Sequence, residues 1–157
     1  MHSYETWDPV RAAEILAPFG NRRDAMLPML HAIQDCFGYV PEPVVPMIAE
    51  TVNISRAEAH GVVTFYHDFR HEMPGRHVLK LCRAEACQSM GGDALAAHAE
   101  AKLGQALGTT SADGALSFEP IYCLGLCSTA PSAMLDGKLH GRLTPERFDA
   151  LVEKALS

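Results

Sequence analysis

Four cysteines in two pairs constrain this chain more than any other feature. "CRAEAC" carries Cys82 and Cys87, and "CLGLC" carries Cys123 and Cys127, with residues 88–122 between the pairs. The remaining cysteine is Cys36. The opening "MHSYETWDPV" lacks the charged head and apolar core of a secretory signal. No run approaches the roughly 20 apolar residues that a membrane-spanning helix takes. The expectation is therefore a cytoplasmic protein without direct membrane insertion. Structural disulfides are rare in that compartment, so paired thiols point to metal ligation or redox chemistry.

The frame around the thiols comes from periodicity and turn chemistry. Of the 157 residues, 48% are hydrophobic and 20% charged, enough apolar material for one ordinary domain or two small ones. The net charge is −6, with Lys and Arg scattered rather than gathered into a stripe, which argues against a nucleic-acid surface. Asp8-Pro9 reads as an N-cap and first-turn proline, opening a helix to about Leu16 that stops near Pro18 and Gly20. Met26, Leu30, Ile33 and Phe37 form one apolar stripe, with Gly38 past its end and Pro41 blocking continuation. Pro28 is tolerable there only in the first turn. A third helix is expected from Pro43 to Thr51. A fourth opens on the capping box "SRAE" at Ser55–Glu58 and runs to about Tyr66.

The pattern changes at Pro74-Gly75. "HVLKLC" is a β-prone run ending at Cys82, a helix follows from about Asp93 to Leu103, and "ALSFEPIYC" is a second strand ending at Cys123. "DGK" marks a hairpin between Ser132–Leu135 and Lys138–Gly141. Thr144-Pro145 opens a last helix with Phe148, Leu151, Val152 and Ala155 on one face. The chain thus divides into an N-terminal helical bundle, 1–74, and an α/β module, 75–157.

Each cysteine pair begins where a strand ends. If the two strands are parallel, joined through the intervening helix, those ends share one sheet edge and the four thiols converge. Four thiolates hold either zinc or an iron–sulfur cluster. Zinc favours tight C-x₂-C knuckles, whereas C-x₄-C and C-x₃-C suit a wider object in which each pair holds one iron. Ala84, Ala86, Gly91, Gly92 and Gly125 would let backbone N–H groups approach the sulfurs. Four thiolates on an oxidised two-iron, two-sulfide core leave a double negative charge, which grows on reduction. Arg83, beside a ligand, could offset part of it or be a solvated surface residue. A zinc-stabilised interaction module and a thiol–disulfide oxidoreductase using Cys82 and Cys87 are the rival readings. The second is weakened because no C-x-x-C is present.

"C-x₄-C … C-L-G-x-C" with Ala130-Pro131 resembles the thioredoxin-like [2Fe–2S] ferredoxins. With "LPMLHAIQDCFGYVP" (27–41), "IAETVNISRAEAHGVVTFYHDF" (48–69) and "PGRH" (74–77), nearly the whole chain resembles the small iron–sulfur subunit of NADH-oxidising complexes. That group comprises the 24 kDa subunit of complex I, its counterpart in NAD-reducing hydrogenases and the gamma subunit of NAD-dependent formate dehydrogenases. The resemblance implies a thioredoxin-like second module in which Cys82, Cys87, Cys123 and Cys127 ligate one [2Fe–2S] cluster. It implies as partners an FMN- and NAD-binding flavoprotein subunit and, in the formate enzyme, a larger iron–sulfur/molybdenum subunit. The fillers "CRAEACQSMGG" and "CLGLCSTAPSAMLDGKLHGRLTPERF" look most like the formate dehydrogenase gamma subunit. With no dinucleotide glycine fingerprint and no molybdenum site, the chain alone is expected to have no NAD or formate activity and no catalytic residues. The resemblance also implies a cis peptide at Ala130-Pro131. Cys36 is expected to be a buried small hydrophobe, Phe65, Tyr66 and Phe69 to be core, and His77 and His140 to lie near the cluster edge without ligating.

Overall fold

The computed structural model describes residues 4–156. Its contacts fall into two units, one ending at Met73 and the other beginning at Pro74.

The first unit is helical. Asp8 holds an extended backbone and accepts the Val10 N–H on its carboxylate at 2.9 Å, starting α1 (Pro9–Leu16). A 3₁₀ turn over Ala17–Phe19 contains Pro18 and ends at Gly20. A second 3₁₀ turn, Arg23–Ala25, leads into α2 (Met26–Phe37), which places Pro28 in the first turn, where its missing N–H costs no helical bond. Gly38 closes α2 at φ 82 and donates to the Gln34 carbonyl at 2.7 Å. A Cβ there would also lie 2.8 Å from the Tyr4 ring, so this position needs glycine for space as well as for its dihedral. α3 (Val44–Val52) ends on the left-handed Asn53, and α4 (Arg56–Phe65) opens with both halves of the Ser55/Glu58 capping box formed.

Leu30, Ile33 and Phe37 of α2 meet Val44, Ile48 and Val52 of α3, Ala59 and Val63 of α4, and Ala12 and Leu16 of α1 in one core. Gln34 is the buried polar residue among the described residues of this unit. Its amide donates to the Asp68 carbonyl at 2.8 Å and accepts from the Arg70 N–H at 2.7 Å. Those two bonds pin the segment that carries Phe69 into the core. Phe65 and Tyr66 are a correction to the sequence expectation, being 72% and 43% exposed while Phe69 is buried. The reason is local. Phe65, the last residue of α4, lies two positions past the buried Val63 and so falls on the opposite face of the helix, while Tyr66 turns to extended backbone (φ −90, ψ 106), where helical spacing no longer holds.

The second unit is a sheet with helices. Its elements run β1 (His77–Cys82), α5 (Glu85–Cys87), a π turn over Gln88–Gly92, α6 (Asp93–Leu103), β2 (Thr109–Thr110), β3 (Leu116–Ile121), β4 (Ala133–Leu135), β5 (Lys138–His140) and α7 (Pro145–Leu156). The strand order is β2-β3-β1-β4-β5. β1 and β3 are parallel, from His77 opposite Leu116 to Cys82 opposite Ile121, and β4 runs antiparallel to β1. Leu79, Leu81, Leu116, Phe118 and Ala133 share a core with Leu95 and Ala99 of α6 and Phe148 and Val152 of α7. Lys80 and Glu119, one residue out of that alternation, pair at 4.0 Å on the other face. Asp136 and Gly137 both adopt positive φ, 49 and 79, which the tight β4–β5 turn requires. β2 was not anticipated: two residues are too short to show alternation. No helix among the described residues is long and apolar enough to cross a membrane.

Candidate metal centre

Because β1 and β3 are parallel, Cys82 at the end of β1 sits beside Ile121, and two further residues bring the chain to Cys123. The condition set by the sequence is met, and both pairs arrive at the C-terminal edge of the sheet. The Cys82 thiol is buried, which disfavours its charge. It nevertheless lies below its ordinary pKa because the N–H groups of Ala84, Cys123 and Leu124 and the Cys87 thiol point at it. Burial and the neighbouring Cys82 push the Cys87 thiol up, against the opposing pull of Ser132, whose Oγ lies 3.5 Å from Cys87 Sγ. Cys127 is pushed up chiefly by Cys123, whose sulfur is 3.8 Å away, and also by Cys87 and Cys82. Cys127 thus feels the charge of all three other thiols. Cys36, in the other unit, is only partly buried. It packs beside the helical core with its thiol pushed up by burial and by Glu5.

The loops that carry the thiols are held open by specific residues. Cys123 has φ 86, an arrangement that costs a non-glycine residue about 1–3 kcal/mol and persists only when its surroundings impose it. This turn lets the Cys123 and Leu124 N–H groups face Cys82, while the Gly125 N–H reaches Cys123 Sγ at 3.4 Å. Small fillers thus do bring backbone donors to sulfur. On the other loop, Cys87 ends α5 and the π turn follows, where a Cβ on Gly92 would fall 2.5 Å from the Cys87 carbonyl oxygen. Arg83 clamps this turn by donating to the Gly92 carbonyl at 2.9 Å and the Asp93 carboxylate at 2.7 Å. Its side chain is 22% exposed. It is neither a solvated residue nor an unengaged counter-charge, since Asp93 already neutralises it.

The histidines separate. His77 starts β1, at the opposite end from Cys82, and its Nδ1 lies 2.7 Å from Asp136. The expectation that it lies by the cluster edge is corrected: six residues of strand carry it away. His140 is paired with Ala133, which places it at the thiol edge of the sheet, two strands from Cys82. Ser132 is the residue that sequence reading missed. Its carbonyl accepts the Cys82 N–H at 3.0 Å, while its hydroxyl faces Cys87. The Ala130-Pro131 peptide bond is cis, as the resemblance implied.

The sequence profile of the thioredoxin-like [2Fe–2S] ferredoxins matches residues 12–156. The chain belongs to this family. Its cofactor is a [2Fe–2S] cluster. This ferredoxin is 35% identical over 153 residues to an NADH-quinone oxidoreductase subunit of Pseudomonas aeruginosa, covering 98% of this chain and 83% of the relative. It is equally 35% identical over 154 residues to the subunit of the same name in Escherichia coli K12, covering 98% and 84%. Among solved structures it is similar to an NAD+-reducing [NiFe]-hydrogenase in the air-oxidised state, with TM-score 0.70, 26% identity and 83% of this chain covered. The match spans 22% of that hydrogenase chain.

The donors present in this ferredoxin fit the cluster. Thiolates are the ligands that iron–sulfur clusters take. Among the described residues, no group of three or more His, Cys, Asp or Glu side chains surrounds a single metal-ion position. The thiols are gathered pair by pair instead, a division that suits two irons. Cys82 and Cys87 form the buried pair, and Cys123 and Cys127 the exposed one.

Proposed function

We propose that Cys82, Cys87, Cys123 and Cys127 ligate the [2Fe–2S] cluster, and that this ferredoxin is an electron-transfer subunit beside an FMN- and NAD(H)-binding flavoprotein. The observation that carries the reading is the placement of both cysteine pairs just past the ends of the parallel strands β1 and β3, with the Cys123 and Cys127 sulfurs 3.8 Å apart and backbone N–H groups aimed at Cys82 and Cys123. A bound [2Fe–2S] cluster supplies one-electron chemistry without large rearrangement. The chain's own task is to hold and shield. Cys82 and Cys87 lie inside, their surroundings closed by Ser132 and the π turn, while Cys123 and Cys127 form the accessible side that a partner's redox group can approach. The backbone donors stabilise negative charge on sulfur and so favour uptake of an electron. No residue here is assigned a catalytic role. Oxidation of NADH belongs to the partner.

The kinship with subunits of NADH-quinone oxidoreductases and with an NAD+-reducing hydrogenase supports a place in an NADH-oxidising complex. Within that class we favour an NAD-dependent formate dehydrogenase, with this chain as its gamma subunit and a larger iron–sulfur/molybdenum subunit in the same assembly. The support is the filler sequence around the cysteines, "RAEA", "QSMGG" and "STAPSAMLDGKLHGR". The second reading, a subunit of a quinone reductase, draws on the 35% identity along almost the whole chain. Affinity capture of the tagged chain from its native cells decides between them. Formate-dependent NAD+ reduction and molybdenum in the captured complex support the first. NADH-dependent quinone reduction without molybdenum overturns it in favour of the second.

A further inference from the structure

We propose that the Ser132 hydroxyl is a positioning residue that sets the reduction potential of the cluster by donating a hydrogen bond to the Cys87 sulfur. The inference rests on the reading of Cys87 as a ligand. Ser132 is 1% exposed, one of few buried polar residues among the described residues. Its Oγ lies 3.5 Å from Cys87 Sγ, a sulfur-length hydrogen bond. A buried hydroxyl is retained at this cost only with a partner. In the free thiol, either group can donate. Once Cys87 is a ligand thiolate it has no proton, so the direction is fixed: the hydroxyl donates and the sulfur accepts.

Ser132 is placed for this by two backbone bonds and by the strand that follows it. Its carbonyl takes the Cys82 N–H at 3.0 Å, its own N–H also points at Cys87, and the following residue, Ala133, enters β4 opposite Leu81. One residue thus touches both members of the buried pair, from the strand adjacent to β1. The pair is shut off from water, so the donor cannot be replaced by solvent there and its electrostatic effect is undiluted. A donor to ligand sulfur stabilises the more negative, reduced state more than the oxidised one, and so raises the potential. Charge on the exposed pair is screened by water, whereas charge on the buried pair is answered only by what the protein supplies.

The test is an EPR-monitored redox titration of the complete chain carrying its cluster, with iron and sulfide counted first. Ser132→Ala should keep two irons per chain and titrate at a lower potential, by about tenfold in the reduction equilibrium, which is about 59 mV for a one-electron couple. Ser132→Thr, which keeps the hydroxyl, should return most of the shift. Ser132→Cys, a near-isostere with a weak donor, should lie between and serves as the test should the alanine variant fail to load. A fully loaded alanine variant, or failing that a loaded cysteine variant, titrating with the wild type overturns the proposal. A wild-type chain that binds no cluster overturns the ligand reading itself, and this proposal with it.

Discussion

Cys82 and Cys87 lie buried at the end of β1 and α5, whereas Cys36 packs in the separate helical unit, so their substitutions should differ in kind. Cys82→Ala or Cys123→Ala should lose both the cluster and soluble protein, because ligation contributes to folding a small module. Cys36→Ala should keep its iron. A colourless Cys82→Ala variant with normal solubility and melting would remove the folding part of that account. Asp136 gives a prediction of another sort. Burial opposes its charge, but His77 and the Val78 N–H outweigh that and hold its carboxyl below the ordinary value. A carboxylate with a depressed folded pKa stabilises fully above its unfolded value and loses that contribution as pH falls through the folded one. Asp136→Asn should therefore melt lower at neutral pH, with the gap closing below about pH 4. A constant gap across that range would contradict the pairing. At this scale the four thiols proposed as ligands stood out because cysteine is rare and its spacing is informative. Ser132 did not, because its role depends on a tertiary approach between residues 87 and 132 that no local pattern records.

The elements divide in the same way. α1 and α7 begin where a capping residue and a first-turn proline say they should, because those signals act within a turn of the chain. The parallel pairing of β1 and β3 was conditional in sequence and is met in structure. What periodicity could not show was the π turn after Cys87, whose shape comes from Arg83 reaching across to Gly92 and Asp93. Phe65 and Tyr66 were misread for the complementary reason. Phe65 falls on the face of α4 away from the buried Ala59 and Val63, and at Tyr66 the helix has ended, so the apolar stripe no longer predicts burial. The π turn makes its own prediction. Gly92→Ala would place a Cβ against the Cys87 backbone, where no flexible side chain can give way. That variant should load markedly less iron than wild type, read as iron per chain after identical reconstitution, whereas Gly61→Ala, inside α4 with nothing within 4 Å and no positive φ, should load fully. Equal loading of both would mean that the turn adapts.

For the molecule as a whole, we propose that residues 1–74 and 75–157 are domains and that the second alone houses the centre, since Cys82, Cys87, Cys123 and Cys127 all follow Pro74. A fragment of residues 75–157 should then bind the cluster, and a fragment that folds but stays colourless would contradict it. Membership of the ferredoxin family settles the cofactor. What joins cofactor to residues is the claim that these four thiols hold it. The measurement that tests this most directly is the absorption spectrum of the chain purified without air, with iron, sulfide and zinc assayed on the same sample, for the wild type and for each single cysteine variant. The account predicts a brown wild type with about two irons and two sulfides per chain that bleaches on reduction. It predicts loss or marked change of that spectrum in the variants at 82, 87, 123 and 127, and an unchanged spectrum in the variant at 36. A colourless wild type holding one zinc, or an unaltered cluster in any of the four variants, would contradict it.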